Sequence, residues 1–430
     1  MSIPSQRTGN APAPGASPGA PAPAPSSPFR GLGRSFDAAL ARGLGHVTRR
    51  ALGPYQTAIV RIGFAVTVLG FLLHEWPNRH LMYGQDSAWS FDMASRFAEN
   101  SGAFTLLLWS DSGLWFELVY HLTIAAAVAM LLGWRTRAAT MLFMIGVLSV
   151  QNRSIFMGDG GDNVIHLMSM YLVLTRCGQV WSLDARRRAR RPDLEPTEDR
   201  VGIALWAVLG VALLAALVTG SVDSWIWSLF LGGMWLVHGY WWLIRRYAPG
   251  EPRVVSDIVA NLVHNAALLV IMAEVCVIYA TAGWYKIQGS RWQDGTAVYY
   301  PMNLDYFNVW PEVSELLSSS GMVIMALSYG TVIVQVAFPF ALLNRRAKNI
   351  LLVLMMGEHI GIALLMGLPF FSLAMIAMDA VFLPTAFLLW MGARATGLRA
   401  RLTRRRPAPP EAPPAPAPAE QRSPAWAAKG

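Results

Sequence analysis

The chain has 430 residues, of which 54% are hydrophobic and only 14% charged, and its mean hydropathy is +0.37. A soluble domain of this length would need far more polar surface, so the composition predicts an all-α polytopic membrane protein. The formal net charge of +9 does not point to nucleic acid, because the arginines flank apolar runs, where they orient a chain against membrane lipids.

Residues 1–33 are rich in Pro, Ala, Gly and Ser, predict a disordered tail, and contain no apolar core of a cleavable signal peptide. Over 34–56, Phe36, Leu40, Leu44 and Val47 recur at helical spacing among Arg34, Arg42, Arg49 and Arg50, which reads as a basic amphipathic helix lying on the membrane. Residues 57–395 then form a transmembrane domain of about ten helices, since crossing the hydrocarbon takes roughly 20 residues. The apolar runs are 57–76, 114–132, 138–157, 162–176, 202–220, 223–244, 260–285, 321–343, 349–366 and 370–392. Residues 396–430 are basic and then Pro/Ala-rich, a second disordered tail.

Charge tests this topology. With a cytoplasmic N-terminus, the inner segments hold 29 of the 35 basic residues and the outer segments five, Arg79, Arg96, Arg153, Lys286 and Arg291, with Arg61 inside the first span. That bias predicts a multi-pass protein of the plasma membrane with both termini cytoplasmic. Cys177 and Cys276 fall at different depths and read as packing residues. No Walker A loop, His-Glu-x-x-His zinc motif, Gly-x-Ser-x-Gly elbow or Cys-x-x-Cys pair occurs, which argues against a nucleotide-driven pump and a zinc protease; no metal is expected.

Polar chemistry collects toward the outer face. Glu117 and His121 are four residues apart, as are Asp162 and His166, so each pair is expected to share a helix face. Each pair has a plain alternative, mutual satisfaction between packed helices, and the Gly-rich Gly158–Asn163 segment is either a close approach to a ligand or an ordinary helix entry. Glu358, His359 and Asp379 lie in apolar runs, where ionisable groups usually face a cavity, a partner or a pathway. The only lysines are Lys286, Lys348 and Lys429. Lys286, at the outer end of its run, is either a snorkelling anchor or a base, a role that a guanidinium cannot fill. Trp284 and Trp292 flank it and are placed to shape an apolar pocket.

The stretch Ala282-Gly-Trp-Tyr-Lys-Ile-Gln-Gly-Ser-Arg-Trp-Gln-Asp-Gly-Thr-Ala-Val-Tyr-Tyr300 resembles the signature of the HTTM family, the horizontally transferred transmembrane domain related to vitamin K-dependent gamma-carboxylase. Gln151-Asn152, Gly160-Gly-Asp-Asn163, Trp181-Ser-Leu-Asp184 and the segment from His359 through Pro369-Phe-Phe-Ser372 resemble further blocks in the same order. The resemblance implies that Lys286 is the catalytic base toward a reduced vitamin K-type hydroquinone, for which reduced menaquinone is the bacterial analogue, on the non-cytoplasmic face. Asn163, His166, Trp284, Trp292, His359 and Asp379 are the accompanying pocket or substrate-binding candidates. Tyr285 stands where the family carries a basic residue before its lysine, and a Pro/Ala tail follows the last run where the carboxylase has a large luminal domain. Family members linked to maturation of secreted toxins leave a second reading, a non-catalytic membrane factor for maturation, export or immunity of a secreted peptide. A third, from the residues alone, is a proton-coupled transporter using Glu274 or Asp379.

Overall fold

The computed structural model describes residues 28–190, 200–222 and 224–403, and among them every regular element is helical. In chain order the helices are α1 Pro28–Arg49, α2 Pro54–His74, α3 Arg79–Tyr83, α4 Phe91–Ser101, α5 Gly113–Leu132, α6 Thr136–Arg153, α7 Gly160–Val173, α8 Leu183–Arg190, α9 Arg200–Val218 and α10 Trp225–Tyr247. They continue with α11 Glu251–Gln288, α12 Ser290–Gln293, α13 Tyr299–Met302, α14 Pro311–Ser318, α15 Gly321–Ala341, α16 Arg345–Leu365, α17 Pro369–Asp379 and α18 Thr385–Thr403. The tails expected over 1–33 and 396–430 lie mostly outside the described residues; within them, α1 starts at Pro28 and α18 runs to Thr403. The basic helix expected over 34–56 is α1. It ends at Arg49, and Gly53 in the left-handed region (φ 56°) followed by Pro54 at the first position starts α2.

Fewer helices than the ten spans expected meet the length and hydropathy of a membrane crossing: among the described residues six, α2, α5, α9, α11, α15 and α16, are long and apolar enough. A seventh exists only if Pro369–Phe382 and Thr385–Leu398, bent by 117° from each other, count as one broken span. The cause of that bend is in the sequence: Leu383 precedes Pro384 and adopts φ −62°, ψ 136°, because the proline ring excludes the helical conformation from the residue before it. Carbonyls released at the break are taken by side chains, that of Phe382 by Lys348 Nζ and that of Leu383 by Gln56 Nε2 at 3.0 Å. Helix α7 has only 14 residues, with Val164, Ile165, Met168, Ser169 and Leu172 buried. Largely enclosed by protein, it need not match the bilayer thickness. Helices α6 and α10 are long enough but diluted, α6 by Gln151, Asn152 and its arginines, α10 by Gly, Ser and His.

The core forms where α2, α5, α6, α7 and α17 meet, with Phe64, Tyr120, Met130, Phe143, Met168 and Leu172 almost fully buried. Arg61 is buried among them. Its guanidinium donates to the carbonyls of Met130 and Leu131 at the end of α5, of Cys177 at 3.3 Å and of Trp181 at 2.8 Å. The last carbonyls of a helix lack intrahelical partners, so this charge closes a helix end. Asp184 closes another, accepting from the amides of Arg135 and Thr136 and from the Thr136 hydroxyl at the start of α6. The Trp181–Asp184 block therefore works here as a clamp between helix termini. Helices α9 and α10 form a hairpin beside the core. Trp206 and Trp235 stack at 4.2 Å, and each donates its indole N–H to the other's backbone carbonyl.

Candidate functional site

Tyr279 and Lys286 are seven residues apart on α11, two turns, and so share a face. Between them Gly283 lets α15 come close: a β-carbon on it would lie 2.6 Å from the Val336 side chain. This contact brings the Lys286 ammonium nitrogen to Gln335. Lys286 Nζ donates to Gln335 Oε1 at 2.8 Å, and Gln335 Nε2 donates to Glu358 Oε1 at 2.8 Å. After α11 ends, the turn at Gly289 starts α12 and returns Trp292, whose ring centroid is 5.3 Å from Nζ.

Glu358 is followed by His359, which faces the other way into the bundle and is 2% exposed. Its Nε2 lies 3.0 Å from the Tyr279 hydroxyl, and that hydroxyl donates to Asp379 Oδ2 at 3.0 Å. With the single phenolic proton committed to the carboxylate, the phenol oxygen accepts from His359 Nε2–H, which leaves Nδ1 as the imidazole's acceptor. His359 Nδ1 and Asp379 Oδ1 are both buried and have no hydrogen-bond partner among the described residues. Buried polar atoms left unpaired are costly, and they concentrate where a fold is built for something besides stability. Phe338 and Phe371 enclose the set, 6.0 Å from the Tyr279 ring and 5.7 Å from the His359 ring.

The structure thus joins Lys286 with Trp292, and His359 with Asp379. The other candidates stand apart. Trp284 is 62% exposed and points away from Lys286. Asn163 is exposed at the start of α7. His166 is half-buried and not joined to Asp162, whose carboxylate instead takes the backbone amide of Asp159 and the side chain of Gln151. Glu117 and His121 do meet, but within a wider cluster. Glu117 accepts from Arg79 and is 2.7 Å from His80 Nε2, while Trp76 donates to His121 Nε2. That carboxylate is satisfied in place. His264 accepts from the Arg176 amide and lies 2.7 Å from the Leu52 carbonyl, so it holds the α1–α2 connection to α11.

Two members of the site, Tyr279 and Gln335, escape a reading of the sequence. Neither is ionised at neutral pH, and only the two-turn spacing to Lys286 or the lone amide in an apolar run could have flagged them. No group of three or more His, Cys, Asp or Glu side chains that could hold a metal ion occurs among the described residues. No protein-family model matches the chain, and neither a curated protein nor a solved structure matches it, so the resemblance of the Lys286 block rests on its own residues.

Proposed function

We propose that this chain is an HTTM-type integral membrane enzyme in which Lys286 is the base toward a lipid-soluble hydroquinone, a reduced menaquinone or vitamin K-type compound, in the modification of a secreted or membrane substrate. The direction of the lysine head carries this reading. A snorkelling anchor extends toward the headgroups, whereas Lys286 turns inward onto Gln335, a residue only 4% exposed. Gln335 takes one N–H of the amine, which leaves the lone pair of the neutral form free for a proton. Glu358, held behind the same amide, offsets the positive charge that forms. The side chains fit a flat phenolic molecule, since the amine can accept a hydroxyl proton and the Trp292 ring offers a packing face. When bound, the hydroquinone supplies that hydroxyl and the reducing equivalents.

Oxygen-dependent oxidation of menaquinol by the protein in liposomes tests the proposal. Wild type should exceed protein-free liposomes, and both Lys286→Ala and Lys286→Arg should fall to that background at normal protein levels, because arginine keeps the charge but cannot accept a proton. Full activity of Lys286→Arg would overturn the base, and a wild type no faster than protein-free liposomes would favour a non-catalytic membrane factor for maturation, export or immunity of a secreted peptide. The orientation that accompanies this reading is a plasma membrane with both termini cytoplasmic; it rests on the division of basic residues, 29 to five, across all ten apolar runs, and so requires α6, α7, α10 and the broken α17–α18 pair to carry the chain across as well.

A proton-coupled transporter is the second reading, favoured by the buried Tyr279–His359–Asp379 set with its two unpaired atoms. It predicts pH-driven flux into liposomes that Asp379→Asn abolishes and Lys286→Arg leaves intact.

A further inference from the structure

A cavity of about 130 Å³ lies between α2, α6, the start of α7 and the start of α17. Its floor is formed by the buried Thr67, Leu72, Thr123, Val147 and Val150, and its rim by the exposed Met157, Asp159, Gly367 and Pro369. Phe371 forms one wall and on its other side touches His359, so the cavity is separate from the Lys286 chain. Gly161 makes the junction possible: a β-carbon there would sit 2.8 Å from the Phe371 Cα.

The polar side chains of this lining end in acceptors. The hydroxyls of Thr67 and Thr123 spend their protons on the carbonyls of Gly63 and Val119 in their own helices. Gln151 directs its amide nitrogen at the carbonyl and Oδ1 of Asp162, at 3.0 and 3.3 Å. Asp159 and Asp162 add two carboxylates, and the lining contains no Lys, Arg or His. Rings of Phe71, Phe370 and Phe371 complete the walls.

We propose that this cavity binds a small organic cation, a primary ammonium group on a short apolar or aromatic body. The ammonium has three donors for a site of acceptors, and the phenylalanine faces attract a cation and pack against its body. Two features compete. Asp159 and Asp162 also form the capping box of α7, which gives them a role without any ligand. That role explains the carboxylates but not the open space beside them, and each carboxylate retains acceptor sites. The first turn of α17 lacks a side-chain cap and would attract an anion. Its dipole, like that of α7, is worth about half a positive charge, so two helix starts offset only about one of the two carboxylates and the site stays negative.

Three probes that share a ring and differ in the head test this: benzylamine, benzyl alcohol and benzoate, titrated by saturation-transfer NMR against the full-length protein in neutral-lipid nanodiscs. Benzylamine should bind about tenfold or more tighter than benzyl alcohol, the gain expected of a charge-assisted bond, and benzoate no better than to empty nanodiscs. Asp162→Asn should bring benzylamine to the level of the alcohol. Val150→Phe, which fills the floor and leaves the capping box alone, should remove binding of both. Lys286→Ala should change neither, which separates this site from the proposed enzyme chemistry. Benzoate binding as well as benzylamine, or benzylamine binding undiminished in Val150→Phe, would overturn the proposal.

Discussion

Tyr279→Phe removes one oxygen atom and tests the central geometry most directly. Phenylalanine keeps the ring packed against Phe338, so little is lost in volume, and the change isolates the two hydrogen bonds of 3.0 Å to His359 and Asp379. Hydrogen bonds between membrane helices average about 0.6 kcal/mol and reach about 1.7. Both bonds here are buried and one goes to a carboxylate, which puts them in the upper part of that range and the loss at about 2–3 kcal/mol. Reversible unfolding in bicelles measures it, and a double-mutant cycle with Asp379→Ala, which removes the acceptor, isolates the interaction. A coupling of about 1–1.7 kcal/mol is expected. If the two substitutions add within about 0.5 kcal/mol, the hydroxyl does not hold the carboxylate and the chain of three groups does not exist as drawn.

Arg61→Met should cost several kcal/mol, at about 1–3 for each carbonyl stranded at the end of α5 and in the segment between α7 and α8, and an unchanged melting temperature in detergent would contradict the clamp. In the segment after α11, Thr296 is the main cause holding the Asp294 carboxyl below the usual aspartate range, with Arg291 adding to it. A depressed folded value stabilises this turn at pH above the unfolded value, near 3.9, and the contribution fades as pH falls through the folded one. An NMR titration of Asp294 with a midpoint at or above about 3.9 would refute it. For orientation, single cysteines at the exposed Ser110, Ser290 and Ser319 in a cysteine-free background should react with an impermeant thiol reagent in intact cells, and one at the exposed Ala189 should not. Labelling at Ala189 alone would invert the topology.

The parts of the site that break the local pattern are legible in the sequence. Lys286, His359 and Asp379 are ionisable residues in apolar helices, and a bilayer makes such residues conspicuous. Gln335 and Tyr279 acquire their meaning only from which helices touch, and that information lies in contacts between distant segments, such as Gly283 against Val336. Local rules account for two of the differences. Residues two apart on a helix lie about 200° apart around the axis, so Trp284 could not share a face with Lys286, whereas Trp292 reaches it because the helix ends at Gly289. Pro384 likewise marks the end of the helix before it, yet hydropathy averaged over 370–392 smooths that break into a span. The short α7 fails the length rule for another reason: the rule assumes lipid on the outside, and much of this helix is covered by protein.

Helix α17 ties these observations together. At one end Phe371 walls the cavity and packs on His359, and at the other Asp379 closes the hydrogen-bonded chain from the same histidine. Only eight residues separate the two contacts, about 12 Å of helix. Ser372, Ala374, Met375, Ala377 and Met378 are buried along that length, and a β-carbon on Gly63 of α2 would lie 2.5 Å from that of Ala377. The two contacts therefore sit on one closely packed helix. Beyond Asp379 the continuation is pinned by Lys348 on the Phe382 carbonyl and Gln56 on that of Leu383. The break at Pro384 thus separates α17, which carries both contacts, from α18.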